Sequence, residues 1–432
     1  MKKVFLSMIS ALTMGIAAQA QQAWMIDSVS IGANAQDEYY SLKNGSQRIE
    51  NSKNWHLGFT LSPIGDSAAV WANHQSGNAF TKVFNIHKDS TQWNTVTLAD
   101  TAAANLCFNN DQGWYQGAFN DVPSSDPYNF GWGYYDAVSH NIVGDSIFIV
   151  RANGVYYKLI IEQLQAATAP VTWTFSYENL STPAAAVQKT IVKSPKYDNN
   201  LFAYFNFATE SDTNREPAIA NWDFVINRYT TNSVGSGQGT NNNLVGVLTN
   251  KGVLVTKAKP VDVDTAYNNY LTYTTSMSKV ISVIGWDWKT LVSVAPPFLY
   301  DVPDSTSYFM KDKGGDLWQM QPLAYSAGKM IFRKRMLFPL AVTNVNSNIQ
   351  AMNVYPNPAH QNMHVLLDVK NASKVQVMII DFTGKIVSSF YSSINSGLNA
   401  LDIPCNHLHN GNYVLSIKGE NMNITEKVTI SK

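Results

Sequence analysis

The feature that most constrains this chain is a hairpin signal in Ser146–Ile161, which reads SIFIVRANGVYYKLII. Asn153-Gly154 is typical of a two-residue type I′ turn, because both central positions of that turn need a positive φ. The turn predicts three cross-strand pairs on one face: Phe148 with Leu159, Val150 with Tyr157, and Ala152 with Val155. That face is almost wholly apolar, so the hairpin is expected to cover a core.

A second hairpin signal lies in Tyr308–Met320, YFMKDKGGDLWQM. Gly314-Gly315 is predicted as its turn. The pattern then places Phe309, Trp318 and Met320 on the apolar face.

Composition favours an all-β fold. Aromatic residues make up 12% of the 432 residues, whereas charged residues make up only 14%. Such a chain is rich in strand formers and poor in the Glu, Lys and Arg that fill exposed helices. Its length predicts two or three domains.

The charge balance argues against nucleic acid as a partner. Lys plus Arg and Asp plus Glu both number 31, and no basic stripe is present. The two cysteines, Cys107 and Cys405, lie in different predicted domains, so a disulfide framework is excluded.

The first 20 residues, Met1–Ala20, have the layout of a cleaved signal peptide. Two lysines precede an apolar run, and Ala18-Gln19-Ala20 supplies the small residues of a cleavage site. As a helix, the apolar run would span about 22 Å, which is short of the ~30 Å hydrocarbon core of a membrane. We expect a mature chain that begins at Gln21 and carries no lipid attachment site, because no Cys follows the cleavage site.

Five landmarks recur in the same order about 160 residues apart. They are Tyr39–Leu42 with Tyr204–Phe207, Asn54-Trp55 with Asn221-Trp222, Trp132 with Trp286, the two hairpins, and Trp173–Phe175 with Met330–Phe332. The period is too long for a solenoid repeat and indicates a duplicated domain. We predict two antiparallel β-rich copies at 21–182 and 195–338; chance similarity between aromatic-rich β segments is the alternative.

After a polar linker at 339–352, residues 353–432 form a compact β-patterned segment. Its motifs are Tyr355-Pro356-Asn357-Pro358, Asp381-Phe382-Thr383-Gly384-Lys385, Gly411-Asn412-Tyr413-Val414 and Glu426–Ile430. This segment resembles the C-terminal sorting domain of the type IX secretion system of Bacteroidota. The resemblance implies a small β-sandwich, an interaction with the secretion machinery, and export to the cell surface or the medium, with attachment to lipopolysaccharide where the protein is anchored. An ordinary β-sandwich module is the alternative.

The duplicated region also resembles the HmuY family of haem-binding proteins. The likeness lies in Asn221–Arg228, in the following Gly235–Gly239 loop, and in the hairpin segment Tyr156–Leu159. The first copy departs from it, because His56 stands where Asp223 stands in the second and no such Gly-rich loop follows. The resemblance implies haem as a cofactor.

Haem iron in a binding protein needs one or two axial His or Met ligands beside an apolar slot. His74 and His140 lie in loops next to apolar strands, which is where a porphyrin would enter, so they are the candidate ligands. Each can equally be an ordinary loop histidine. No separate metal site is predicted.

No catalytic motif is evident. HExxH, CxxC and GxSxG are absent, GSGQG at 235–239 lacks the ending of a phosphate loop, and no carboxylate pair is placed for glycoside hydrolysis. We therefore expect a secreted or cell-surface binding protein rather than an enzyme, with haem or a related porphyrin as ligand. The alternative is an adhesin-like protein that binds glycans or another protein through exposed Trp and Tyr, without haem.

Overall fold

The computed structural model describes residues 23–62, 68–75, 81–120, 126–197, 199–232, 241–296, 298–337, 348–381, 385–419 and 422–432. The chain divides into two compact units, Met1–Leu337 and Phe338–Lys432. Antiparallel strands dominate both, so the predicted all-β class is confirmed. The predicted signal peptide lies outside the described residues. Within those residues, no helix has the length and apolar character needed to cross a membrane.

The strands of the first unit are short and numerous. They are β1 (Met25–Ser30), β2 (Gln36–Ser41), β3 (Gly45–Asn51), β4 (Leu57–Thr60), β5 (Val70–Ala72), β6 (Lys82–Asp89), β7 (Asn105–Cys107), β8 (Gly133–Tyr135), β9 (Ile142–Gly144), β10 (Ser146–Ala152), β11 (Val155–Gln165), β12 (Thr172–Asn179), β13 (Val187–Val192), β14 (Phe202–Asn206), β15 (Ser211–Thr213), β16 (Phe224–Asn232), β17 (Asn241–Thr249), β18 (Leu254–Ala258), β19 (Thr290–Ser293), β20 (Leu299–Asp301), β21 (Ser307–Lys311), β22 (Leu317–Ser326) and β23 (Lys329–Leu337). The helical segments are α1 (Val263–Asn268), α2 (Tyr270–Thr274) and 3-10 turns at Ser90–Thr95, Leu98–Ala102 and Pro195–Tyr197.

Four sheets build the layers of the first unit, and β19 and β20 form a fifth, two-stranded sheet. Sheet I has the strand order β13-β12-β11-β10-β6-β7, and sheet II has the order β15-β14-β4-β5. Sheet III has the order β3-β2-β16-β17, and sheet IV has the order β1-β23-β22-β21-β18. Apolar side chains fill the spaces between sheets I and II, II and III, and III and IV, so the four sheets stack as layers.

Sheets I and II enclose the core of sandwich A. Phe59 of β4 stacks on Phe175 of β12, with ring centroids 5.0 Å apart. The indole N–H of Trp173 donates to the Thr60 carbonyl at 2.8 Å, which joins the two sheets by a buried hydrogen bond. Large rings on alternate positions of both sheets therefore hold this sandwich together.

Sheets III and IV enclose sandwich B in the same way. Tyr40 of β2 stacks on Phe224 of β16 at 4.9 Å and meets the edge of Phe332 of β23 at 5.3 Å. Because successive strand residues point to opposite faces, the neighbouring Tyr39 points away from this core and packs between sheets II and III.

A buried ion pair also joins sheets II and III. Arg215, just after β15, donates from Nη2 to Oδ2 of Asp37 in β2 at 2.6 Å, and each side chain is 2% exposed. Gln75 donates to the other carboxylate oxygen of Asp37 at 2.8 Å. The guanidinium also lies over the rings of Trp55 and Tyr204, so the buried charge contacts a carboxylate and two aromatic rings.

The first hairpin has the predicted register. Phe148 pairs with Leu159, Val150 with Tyr157, and Ala152 with Val155. Asn153 and Gly154 have φ values of 50° and 83°, as a type I′ turn requires.

The second hairpin differs from the prediction by one residue. Tyr308 pairs with Met320 and Met310 with Trp318, so Phe309 points to the opposite face and packs beside α1 and α2. The cause is Asp312, whose backbone N–H bonds to the Asp316 carbonyl and whose carboxylate accepts the Asp316 N–H at 2.8 Å. The connection is therefore longer than a two-residue Gly-Gly turn.

The two sandwiches share one topology. Sheet I from β13 to β6 matches sheet IV from β1 to β18, and sheet II from β15 to β5 matches sheet III from β3 to β17. The hairpins β10-β11 and β21-β22 occupy equivalent places. Trp132 is buried in the core of sandwich A, but the Trp buried in the core of sandwich B is Trp288, whereas the predicted counterpart Trp286 is only half-buried.

The sandwiches are not the predicted segments 21–182 and 195–338, because each contains strands from both. Strands β13, β14 and β15 complete sandwich A, where Phe202 of β14 pairs with Thr60 of β4. Strands β1, β2 and β3 complete sandwich B, where Tyr40 of β2 pairs with Phe224 of β16. A repeat in sequence fixes the order of the strands, but it does not reveal at which strand a sandwich begins.

The second unit is a separate two-sheet sandwich. Its strands are β24 (Ile349–Tyr355), β25 (Asn362–Val369), β26 (Ser373–Ile380), β27 (Ile386–Ile394), β28 (Gly397–Pro404), β29 (Gly411–Gly419) and β30 (Met422–Ile430). Sheets β24-β25-β28 and β27-β26-β29-β30 enclose one apolar core. Strand β24 begins inside the predicted linker 339–352, of which residues 339–347 lie outside the described part of the chain.

Candidate functional site

His74, a predicted iron ligand, lies just after β5. Its Nδ1 is 3.0 Å from the Thr81 carbonyl, which requires a proton on Nδ1 and leaves the lone pair on Nε2. Nε2 is buried and has no hydrogen-bond partner among the described residues, while the ring packs against Phe108. Burial lowers the pKa of His74 to about 4, so the imidazole is neutral at pH 7.

His140, the other predicted ligand, lies on the surface in the turn between β8 and β9. Its Nδ1 is 2.7 Å from the hydroxyl of Tyr135. Within the described ranges, no contact joins His140 to His74, and no group of three or more His, Cys, Asp or Glu side chains is placed to hold a metal. The two histidines therefore do not build a common iron site, and neither lines the groove described below.

His56 and Asp223 stand at equivalent positions of the two copies, and each accepts a hydrogen bond from a backbone N–H. His56 Nδ1 accepts the N–H of Phe207 at 3.1 Å, and Asp223 Oδ2 accepts the N–H of Leu42 at 2.7 Å. In each sandwich, this hydrogen bond joins the residue after a Trp to the residue that follows a strand, which is β14 in sandwich A and β2 in sandwich B. Burial lowers the pKa of His56, which keeps this acceptor nitrogen unprotonated.

A groove of about 920 Å³ opens on sandwich B; we call it the aromatic groove. Its main side chains are Arg228, Trp286, Lys289, Phe298, Tyr300 and Tyr325. They come from β16, from the segment before β19, from β20 with the residue before it, and from β22. The volume lies at the upper end of roughly 300–1,000 Å³ for small-molecule sites.

The aromatic wall of the groove is held by packing. The rings of Tyr300 and Tyr325 meet edge to face at 4.8 Å, and Tyr325 meets buried Trp288 at 5.4 Å. Phe298 is 54% exposed at the rim. Burial raises the pKa of Tyr325 to about 12, so its hydroxyl stays protonated.

Lys289 is a buried cation in this wall. Its Nζ donates to the carbonyl of Val245 at 2.7 Å and lies 4.4 Å and 4.7 Å from the ring centroids of Trp288 and Tyr325. Burial lowers its pKa to about 7.

Arg228 stands on β16 beside the same wall. Its Nε donates to the Asn243 Oδ1 and its Nη2 to the Asn243 carbonyl, both at 3.1 Å. Asn243 is itself oriented, because its Nδ2 donates to the carbonyl of His74.

The groove is open because the two strands that follow the buried Trp pair with the main sheet in sandwich A but do not pair with it in sandwich B, where Tyr300 of β20 contacts β22 through its side chain. In sandwich A, β8 and β9 follow buried Trp132, and β9 pairs with β11 through Val143 and Ile142. In sandwich B, β19 and β20 follow buried Trp288 but form a two-stranded sheet of their own. The residue after each Trp also differs: Gly133 allows close approach of Val143, whose carbonyl oxygen would lie 2.4 Å from an added Cβ, whereas Lys289 occupies that place in sandwich B.

Sequence reasoning missed this groove. The available signal was the contrast between FGWGYY and IGWDWK around Trp132 and Trp288, where the second copy gains a lysine. In the sequence, the aromatic residues of the groove look like ordinary strand formers, since nothing local distinguishes an exposed ring from a core ring.

The predicted sorting residues lie at one end of the second unit. The Asn357 side chain donates to the Lys427 carbonyl at 3.1 Å and accepts the Thr429 N–H at 2.9 Å. Asp381 Oδ1 accepts the Lys385 N–H at 3.0 Å at the turn after β26. Of the remaining predicted residues, Tyr355, Pro356 and Pro358 are exposed, and Gly411 starts β29. The hydroxyl of Tyr413 donates to the His409 carbonyl at 3.0 Å. Gly384 is outside the described residues.

These residues lie around the last strand, because β26, β29 and β30 are neighbours in one sheet. No curated protein matches this chain. Residues 353–431, however, match the family described as Secretion system C-terminal sorting domain. The second unit is therefore a type IX secretion sorting domain, which engages the type IX secretion machinery, and the chain is exported across the outer membrane to the cell surface or the extracellular space.

Proposed function

We propose that this exported chain is a non-enzymatic binding protein that binds carbohydrate in the aromatic groove. The observation that supports this proposal is the contrast between the two sandwiches. The two sandwiches share a topology, and in sandwich A strand β9 pairs with β11. In sandwich B, the equivalent place beside β22 is open and is lined with aromatic and hydrogen-bonding side chains.

The chemistry of the lining suits a sugar ring. A pyranose has apolar C–H faces, which pack against the electron-rich faces of aromatic rings, and hydroxyl groups that need hydrogen-bond partners. Trp286, Tyr300 and Tyr325 supply the rings, while Asn243 and Arg228 supply polar groups. Export brings this groove into contact with extracellular glycans.

Calorimetric titration of the mature chain with neutral and uronate-containing soluble oligosaccharides tests the proposal. Trp286→Ala and Tyr300→Ala should each weaken binding by about 10-fold or more, because each removes a ring that packs on the sugar. Tyr128→Ala, an exposed tyrosine of sandwich A, is the matched control. Absence of binding to every oligosaccharide, or equal losses in control and groove variants, would reject carbohydrate binding.

Haem binding is a second candidate, and one observation favours it. His74 has a buried Nε2 lone pair without a partner in the described part of the chain, and its Nδ1–H is held by a carbonyl, as in many metal-binding histidines. Loss of a ligand should weaken haem binding on the order of 10–100-fold. Absorbance titrations of the unmutated chain, His74→Ala and His140→Ala test it, and a free-haem spectrum with the unmutated chain would reject haem.

We also propose that the chain is fixed to surface lipopolysaccharide after removal of the sorting domain. The sorting domain supports this proposal, since proteins with such domains are anchored or released. Mass measurement of the surface-extracted protein would detect the added glycolipid, and an unmodified protein found wholly in the medium would contradict anchoring.

A further inference from the structure

We propose that the aromatic groove selects carbohydrates that carry a carboxylate, with uronic acid residues as the ligand class. The inference rests on the proposed carbohydrate function and adds the charge of the ligand to it. Its basis is a set of cations in the groove that no carboxylate of the described residues neutralises.

The charges that line the groove do not balance. Arg228, Lys259 and Lys289 contribute positive charge, and Asp287 contributes negative charge. The Asp287 carboxylate is already bound by Lys257, whose Nζ lies 2.7 Å and 2.8 Å from its two oxygens. The groove therefore presents a positive surface to a ligand.

In the part of the chain that the structure describes, the hydrogen-bond partner of Arg228 is the neutral Asn243. Two of its five N–H donors bind the oxygens of Asn243, and within the described ranges no hydrogen bond joins the terminal Nη1 to an acceptor. The terminal edge of the guanidinium, which carries Nη1 and one hydrogen of Nη2, has the fork geometry that binds a carboxylate through two parallel hydrogen bonds.

Lys289 adds a second cation whose acceptors are uncharged. Its Nζ bonds to the carbonyl of Val245, with the carbonyl of Trp286 farther away at 3.4 Å, and its charge lies between two rings. A half-buried guanidinium and a buried ammonium, neither of which has an ion-pair partner among the described carboxylates, lose hydration that a bound anion would replace.

A carboxylate in this groove would also make binding dependent on pH. The pKa of Lys289 is about 7 in the free protein, because burial outweighs the attraction of Asp287. The other charged or titratable groups that line the groove with Lys289 are Arg228, Lys259, Tyr300 and Tyr325, of which Tyr325 contacts it. A bound carboxylate raises the pKa of Lys289, so binding takes up a proton and the affinity should fall as the pH rises above 7.

The test compares ligands that differ only in charge. The mature chain is titrated calorimetrically with oligogalacturonate, oligomannuronate and hyaluronan oligosaccharides, and with the methyl esters of the same oligosaccharides. At least one acid should bind about 10- to 100-fold more tightly than its ester. Arg228→Gln and Lys289→Met should remove most of that difference, whereas Lys82→Gln, an exposed lysine of sandwich A, should preserve it.

The outcomes separate this inference from the proposed function. Equal binding of acids and esters, or binding of neutral oligosaccharides alone, would overturn the selection for carboxylates and leave carbohydrate binding standing. Binding of no oligosaccharide of either kind would overturn both. Acid selectivity that survives in Arg228→Gln and in Lys289→Met would overturn the assignment to this groove.

Discussion

The ion pair between Arg215 and Asp37 gives a quantitative test of how the layers are joined. Asp37→Ala removes the carboxylate that binds Arg215 at 2.6 Å and leaves a guanidinium with 2% exposure inside the protein. Removal of one partner of a buried pair costs about 3–5 kcal/mol, because the remaining charge cannot be hydrated. The cation–π contacts with Trp55 and Tyr204 remain in the variant, so we expect the lower part of this range.

The free energy of unfolding is measured by urea titration, followed by tryptophan fluorescence, at one pH and salt concentration. Asp304→Ala, which removes an exposed carboxylate, is the control and should change the free energy of unfolding by less than about 0.5 kcal/mol. The double variant Asp37→Leu, Arg215→Met removes both charges and should recover most of the lost stability. A loss below about 1 kcal/mol in Asp37→Ala, or a double variant that is no more stable than Asp37→Ala, would refute the reasoning.

Three further predictions concern export, pH and the repeated acceptor. Deletion of residues 353–432 should hold the protein in the periplasm, and normal surface or medium levels in cell fractions would contradict this. Burial raises the pKa of Glu216 to about 7 from an ordinary 4.5, so between these pH values the folded chain keeps a proton that the unfolded chain loses. Relative to Glu216→Gln, the unmutated chain should therefore lose about 3 kcal/mol of stability as the pH rises from 4.5 through 7. Identical urea profiles at pH 5 and pH 8 would contradict this. His56→Ala should lower the free energy of unfolding by about 1–3 kcal/mol, because the Phe207 N–H loses its acceptor. His56→Asp, which copies Asp223, should recover part of that stability. Equal melting temperatures for the two variants would contradict this prediction.

The sequence predicts the conformation of a turn and the register of its hairpin where the turn residues allow few conformations. Asn153-Gly154 fixed both the turn and the register of its hairpin, because two consecutive positive φ values leave few alternatives. At Gly314-Gly315, a side chain outside the glycine pair, Asp312, bonds the turn and moves the register by one residue. Sequence periodicity therefore found the strands but not this pairing.

Non-local features were out of reach for physical reasons. The groove exists because β19 and β20 do not pair with β22, and the absence of a pairing leaves no mark in local composition. The sequence indicates a loop position for His74, but its ring is held by Thr81 and Phe108, and only the folded chain creates these contacts. The sorting motifs were readable because their residues lie in short contiguous groups.

The exchange of strands between the two halves of the first unit imposes an order on folding. Sandwich A draws its strands from one continuous stretch, β4 to β15, so its contacts can form as soon as that stretch is available. Sandwich B must instead bring Met25 of β1 against Lys334 of β23, across most of the unit. Strands β2 and β3 can pair with each other early, but β1 has no strand to pair with until β23 arrives, and an unpaired strand is prone to aggregation. Strand β1 is made before the other described strands but is the last of them to find its partner, so we expect any factor that holds nascent chains to act on β1.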